Sequence, residues 1–253
     1  MLKSQPSSSV PNFSSSSSAT TTEIPPTLPP TPTAQTTQPK HHRILDVGSG
    51  LGQDIRKLLH DGVPGSAITA LELDEQFLPF GDALFRDRVD PSPIPSPGTG
   101  GETTQKPKSG GIKDVNFLIG DILSLSPSPP TPPPLPDLLG AFSILHLGSL
   151  LHLFPLPKQH ALLAACVRLA STDVGTTILG WQIGSPSPMD YFDMTNFSLQ
   201  YRHSVESFGE MWTEVGRETG SEWRVERCEI SEGAETKWGE PGYWRLVWEV
   251  RRS

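Results

Sequence analysis

The stretch Arg43-Ile44-Leu45-Asp46-Val47-Gly48-Ser49-Gly50-Leu51-Gly52 decides the fold of this chain. Its first half is a short apolar run of the kind that forms a buried strand; its second half alternates glycine with other residues. Gln53 to His60 then continues at helical spacing, with Ile55, Leu58 and Leu59 on one face. A strand that breaks into glycines and reopens as a helix is a cofactor-binding device. Without Cβ atoms the backbone approaches a ligand closely, and the helix N-terminus offers free N–H groups. The spacing discriminates among cofactors. The dinucleotide pattern G-x-G-x-x-G needs glycines at 48, 50 and 53, and position 53 is Gln53. Asp46 stands two residues before Gly48. A carboxylate there is a poor neighbour for a pyrophosphate and suits a ligand carrying an ammonium group.

Outward from this stretch, apolar runs at 67–72, 114–119, 141–146 and 176–181 read as further strands, and 75–88 and 158–170 as helices. Strands alternating with helices imply parallel βαβ units in an open, doubly wound sheet. The C-terminal third changes character. Ser204 to Gly220 places Val205, Phe208, Met211, Trp212 and Val215 at helical spacing, whereas Glu222 to Ile230 and Tyr243 to Arg251 alternate apolar and polar residues as a hairpin would. The fold class expected is α/β: a mostly parallel, seven-stranded sheet closed by an antiparallel C-terminal hairpin.

Composition sets the boundaries of that domain. Of the 253 residues 27 are proline, and 20 of these fall within 1–40, 91–108 and 127–136. In 1–40, Ser, Thr and Pro supply 25 of 40 positions. Such a segment buries too little apolar surface to offset its ordering entropy and is expected to be a disordered tail. The remaining 41–253 form one domain with Pro/Gly-rich inserts near 91–112 and 126–136. The net charge of −8 disfavours nucleic acid, whose phosphates call for clustered Lys and Arg. Cys166 and Cys228 form neither a disulfide framework nor a zinc pattern, so no metal is expected and a reducing, cytoplasmic setting fits. Residues 1–20 lack the apolar core of a signal peptide, and the longest apolar stretch, Leu138 to Phe154, is shorter than the ~20 residues a membrane span needs. No membrane partner is expected; a homodimer is left open.

Two further acids complete the cofactor pattern. Glu72 stands 24 residues beyond Gly48, at the expected end of the second strand, where it can accept both ribose hydroxyl protons. Asp121, at the end of the third strand, is placed to accept from an exocyclic adenine amine. Asp46, Gly48, Gly50, Gly52, Gln53, Glu72 with Leu73, and Asp121 with Ile122 form the expected cofactor set.

Ile44-Leu45-Asp46-Val47-Gly48-Ser49-Gly50-Leu51-Gly52 resembles the first motif of the class I S-adenosylmethionine-dependent methyltransferases. Gly52-Gln53-Asp54-Ile55-Arg56-Lys57-Leu58, Leu84-Phe85-Arg86-Asp87-Arg88, Gly120-Asp121-Ile122-Leu123 and Tyr201-Arg202-His203-Ser204-Val205-Glu206-Ser207-Phe208 resemble fungal secondary-metabolite methyltransferases. The resemblance implies a Rossmann-like sandwich, S-adenosyl-L-methionine as cofactor, and a small-molecule acceptor methylated on a carboxyl or hydroxyl oxygen of a terpenoid or meroterpenoid. Two departures stand out. Family members carry an ordered, aromatic-containing stretch ahead of the first motif, where this chain has its Ser/Thr/Pro-rich segment. The usually helical link between the third and fourth strands here holds Pro127 to Pro136. The alternatives are a cofactor-binding homologue that turns nothing over and, less in keeping with Gln53, an NAD(P)-dependent oxidoreductase.

Methyl transfer from a sulfonium is an in-line displacement that needs positioning above all. On the acceptor side His152, just past the fourth strand, is the candidate to line the transfer site as a base or orienting group. Arg202 is the candidate to pair with a substrate carboxylate. Gln182, Tyr201 and His203 are the expected pocket residues, with Gln182 just after the fifth strand and Tyr201-Arg202-His203 at the turn into the last helix.

Overall fold

The computed structural model describes residues 42–86, 112–125, 138–231 and 244–253. All of them lie in the unit Lys40–Ser253. The expected disordered tail at 1–40 and the insert at 126–136 fall outside the described residues, as does the insert near 91–112 except for its last residue. Ile112 is buried.

The decisive stretch folds as read. Strand β1 (Ile44–Val47) is buried throughout, and α1 (Gln53–His60) follows the glycine turn. β2 (Ile68–Glu72), β3 (Asn116–Ile119), β4 (Ile144–Gly148) and β5 (Thr177–Gly184) add parallel strands around it. α2 (Phe77–Phe85) lies between β2 and β3 in the chain, and α3 (Leu156–Leu169) between β4 and β5. A small separate hairpin, β6 (Met189–Asp193) with β7 (Ser198–Arg202), precedes α4 (Val205–Thr219). β8 (Trp223–Ser231) and β9 (Trp244–Arg252) close the main sheet, β9 antiparallel to β5. The order is β3-β2-β1-β4-β5-β9-β8: six strands run in one direction and β9 alone runs against them. This is the doubly wound α/β sandwich expected from the sequence.

The large core lies on one face of the sheet. Leu45, Val47, Leu145, Leu147, Ile178, Leu246, Trp248 and Val250 pack there against α3 and α4. Helix α4 is held by both ends of its sequence. Ser204 accepts the Ser207 N–H in a reciprocal capping box, and Gly220 ends the helix in the left-handed region at φ 62°. The second, smaller core packs Ile55 of α1 over Ile68 and Ala70 of β2.

Two expectations are corrected. Gln182 lies inside β5 rather than after it, because the strand runs on through Gly184 in register with β9. Tyr201 and Arg202 lie on β7, paired with Asp190 and Met189, and not in a simple turn into α4. The hairpin therefore carries Arg202 on a strand, which fixes the direction of its side chain.

Candidate active site

β1, β2 and β4 run parallel, so their C-terminal ends meet at one edge of the sheet, where such folds bind ligands. The glycine turn leaves β1 there. Gly48, Gly50 and Gly52 have φ of 69°, 53° and 75°, a region L-residues adopt at a cost, which accounts for the alternation in the sequence. Space in front of Gly50 is open, since a Cβ built there meets nothing within 4 Å.

Helix α2 supports the turn from outside. A Cβ on Gly81 would lie 2.4 Å from the Leu51 carbonyl oxygen, so only glycine allows this approach. Arg56 closes the same junction. Its Nη1 donates to the Leu51 carbonyl (2.7 Å), its Nη2 pairs with Asp82 (3.5 Å), and its guanidinium lies over Phe85. Arg56 was not singled out as a site residue; its signal is its place one helical turn past Gly52.

Glu72 is buried and joins β2 to the turn. One carboxylate oxygen accepts the Gly50 N–H (2.7 Å), and the other accepts those of Leu73 (2.8 Å) and Asp74 (3.2 Å). Each oxygen has two lone-pair sites, so with three N–H groups accepted one site, on the oxygen that holds Gly50, is left for a hydroxyl proton. Leu73 itself is exposed, as is Gln53 at the start of α1. Asp121 is exposed and accepts the Leu123 N–H (2.9 Å), capping the short turn after β3. Ile122 differs from its neighbours: its side chain is buried in the large core, leaving only backbone groups to face a ligand.

Asp46 is 3% exposed and accepts a hydrogen bond from Nδ1 of His146, 2.7 Å away. His146 is not among the site residues expected from the sequence. It stands opposite Asp46 in the β1–β4 register, a pairing across 100 residues that no local pattern reveals.

These residues fit S-adenosylmethionine. The cradle is glycine-lined and open, carboxylates stand at the ends of β1 and β2, and the buried Ser49 hydroxyl has no hydrogen-bond partner among the described residues. The strand order also differs from the dinucleotide order 3-2-1-4-5-6, because the antiparallel β9 occupies the sixth place and β8 the seventh.

The acceptor-side residues gather beyond β4. His152 lies on a turn (Leu151–Leu153) that packs against both β5 and β7. It is buried, its Nδ1 has no hydrogen-bond partner among the described residues, and burial together with the Arg202 charge pushes its pKa down to about 4. Arg202 is buried as well and stacks on the Tyr191 ring, 3.4 Å from its centroid. Gln159 of α3 ties the two together, its Nε2 donating to the carbonyls of Phe154 (2.9 Å) and Tyr201 (2.8 Å).

Gln182 is fully buried, and neither end of its amide has a partner among the described residues. It shares a strand face with Gly184, where a Cβ would meet the His203 carbonyl at 2.8 Å. His203 is held by Ser207 at Nδ1, while its Nε2 has no partner among the described residues and burial lowers its pKa to about 4. The Tyr201 ring meets that of His203 edge-on at 4.8 Å. Buried polar atoms without partners cost roughly 1–3 kcal/mol each, so their concentration here marks a place built to be completed by something polar.

Fold and glycine turn agree with the doubly wound architecture expected from the sequence. No family model matches the chain. In sequence it is similar to the O-methyltransferase atr3 of Stereocaulon alpinum, 30% identical over 84% of this chain and 54% of that protein. It is also similar to the O-methyltransferase phiE of a fungal species, 28% identical over 74% of this chain and 54% of phiE. The chain thus spans about half the length of these relatives. Among solved structures it is similar to the 1,6-didemethyltoxoflavin-N1-methyltransferase of Burkholderia thailandensis, which contains S-adenosylhomocysteine. That match has a TM-score of 0.53 and 14% identity, and covers 83% of this chain and 70% of the other. The resemblance drawn from the motifs is therefore present along most of the chain, with fungal methyltransferases as its relatives.

Proposed function

We propose that this chain is an S-adenosylmethionine-dependent methyltransferase domain that methylates an oxygen of a small secondary metabolite, a terpenoid-type carboxylic acid being the acceptor favoured. The observation that carries the cofactor half is the Glu72 carboxylate bonded to the Gly50 N–H within an open, left-handed glycine turn. The relatives named as O-methyltransferases support oxygen as the target atom.

The cofactor supplies a methyl group on a positively charged sulfur. Asp46 would face its amino-acid end and Glu72 its ribose, with Leu73, Asp121 and Ile122 along the adenine. The acceptor half decides between the two kinds of oxygen. A histidine with a pKa of about 4 is neutral near pH 7 yet a weak base, poorly matched to a hydroxyl. A carboxylate is already ionised and needs no base. Arg202 then holds the acid by a planar fork, and neutral His152 orients it without placing a second cation near the sulfonium. Gln182, Tyr201 and His203 line the remainder of the pocket.

The test is methyl transfer from S-adenosylmethionine to a panel of terpenoid carboxylic acids and matched alcohols. Ester formation from the acids is expected. Transfer to the alcohols alone overturns the carboxylate reading. Transfer to neither, with cofactor still bound, favours a homologue that binds without turnover.

A further inference from the structure

We propose that His146 holds Asp46 in place for the cofactor's ammonium group and gives up a proton when the cofactor binds. This rests on the methyltransferase reading above. Asp46 is an acceptor only, so the 2.7 Å contact requires a proton on His146 Nδ1. Nδ1 makes that bond in both the neutral and the protonated ring, and more strongly in the protonated one. The orientation of Asp46 is thus independent of pH, while the charge beside it depends on whether Nε2 also carries a proton.

A second carboxylate acts on the ring. At Gly148 a Cβ would stand 2.9 Å from His146 Cε1 and 3.1 Å from Asp54 Oδ2, so the two side chains of β4 and α1 meet over this glycine. On its other side His146 borders a cavity of about 230 Å³ lined also by Trp181 of β5, Arg227 of β8, and Arg245 and Glu249 of β9. Arg245 is drawn onto the Trp181 ring, 4.1 Å from its centroid. Burial lowers the His146 pKa, but the hydrogen bond to Asp46 and the charges of Asp46 and Asp54 outweigh it, and the net shift is upward from 6.5.

With the ring protonated, two carboxylates face one internal cation. A ligand ammonium arriving at Asp46 competes with that cation, and the favourable outcome is loss of the Nε2 proton to solvent. Linkage is reciprocal: if binding releases the proton, raising the pH through the His146 pKa tightens binding. Where the ring is protonated, the balance is chain, its Nε2 proton and S-adenosylhomocysteine going to the complex and one free proton taken up by buffer.

Calorimetry with S-adenosylhomocysteine in two buffers of different ionisation enthalpy reads this directly. Wild type is expected to release protons on binding at and below the His146 pKa, with affinity falling several-fold as the pH drops through it. His146→Asn keeps a donor for Asp46 but does not titrate; it should bind with no proton release and a flat pH profile. An NMR titration of the ligand-free chain adds a control that needs no ligand, since Asp46→Asn should lower the His146 pKa. Binding with no proton release in wild type, or equal release in His146→Asn, overturns the inference and leaves the cofactor reading standing. No binding at any pH overturns both.

Discussion

The two ends of the site are built on opposite principles. Around the glycine turn three charged groups are tied into the fold: Glu72 accepts three backbone N–H groups, Asp46 is held by His146, and Arg56 ties the turn to α2. At the other end one buried cation, Arg202, stands among His152, Gln182 and His203, which are neutral and buried, with ring nitrogens and an amide lacking partners among the described residues. At the first end the hydrogen-bonding groups are already engaged by the fold. The second holds unspent hydrogen-bonding capacity in apolar surroundings, which is how a pocket selects a polar acceptor and disfavours analogues that leave it unsatisfied.

The largest effect should come from breaking the acceptor end. Arg202→Ala should lower turnover of an acidic acceptor by roughly 100-fold, the scale of a lost charged hydrogen-bond pair, while leaving S-adenosylhomocysteine affinity unchanged. Arg202→Lys keeps the charge without the fork, so steady-state assays should show kcat falling more than binding.

Acid should next separate the two ends. His152 and His203 have folded pKa values of about 4 against 6.5 unfolded, so their neutral forms support folding fully above pH 6.5. That support is lost as pH falls toward 4, on the order of 3 kcal/mol per histidine. His146, with its raised pKa, acts in the opposite sense. Thermal melts should show stability dropping between pH 6.5 and 4, and His203→Gln should flatten the drop. An unchanged slope would remove His203 from the buried set.

Glu72→Ala sharpens the cofactor side. Loss of its carboxylate should weaken S-adenosylhomocysteine binding by about 1–3 kcal/mol in calorimetry, and some melting temperature should go with it, because the Gly50 N–H loses its acceptor. The smallest effect is expected from Gln182→Leu. Removing a buried amide without partners should raise stability by about 1 kcal/mol in denaturant titration while acceptor KM rises.

How far the sequence reached follows the same division. β1, the glycine turn, α1 and the place of Glu72 were legible because they depend on local chemistry: an apolar run, residues at positive φ, an acid at a strand end. The β6–β7 hairpin was not legible. Its turn places Phe197 in the left-handed region at φ 50°, where the usual signal would be Gly or Asn. Its strands also expose Met189, Phe192 and Leu199, so no inward apolar alternation announces them. Gln182 was misplaced by a strand end, since β5 is extended by pairing with β9 some 60 residues away rather than by its own sequence. His146 needed the register between β1 and β4 before it had any meaning. Asp121 shows the limit from the other side. It stands where it was expected and also caps a turn, so its position alone does not separate the two roles.

The central claim is that the acids at the ends of β1 and β2 hold S-adenosylmethionine independently of the acceptor pocket. Parallel calorimetric titrations with S-adenosylhomocysteine and NADPH test it most directly, on wild type, Glu72→Ala and Arg202→Ala. The account predicts one S-adenosylhomocysteine per wild-type chain, roughly 10–100-fold weaker binding in Glu72→Ala, unchanged binding in Arg202→Ala, and no NADPH heat. NADPH binding without S-adenosylhomocysteine binding, or loss of cofactor affinity in Arg202→Ala but not in Glu72→Ala, would contradict it.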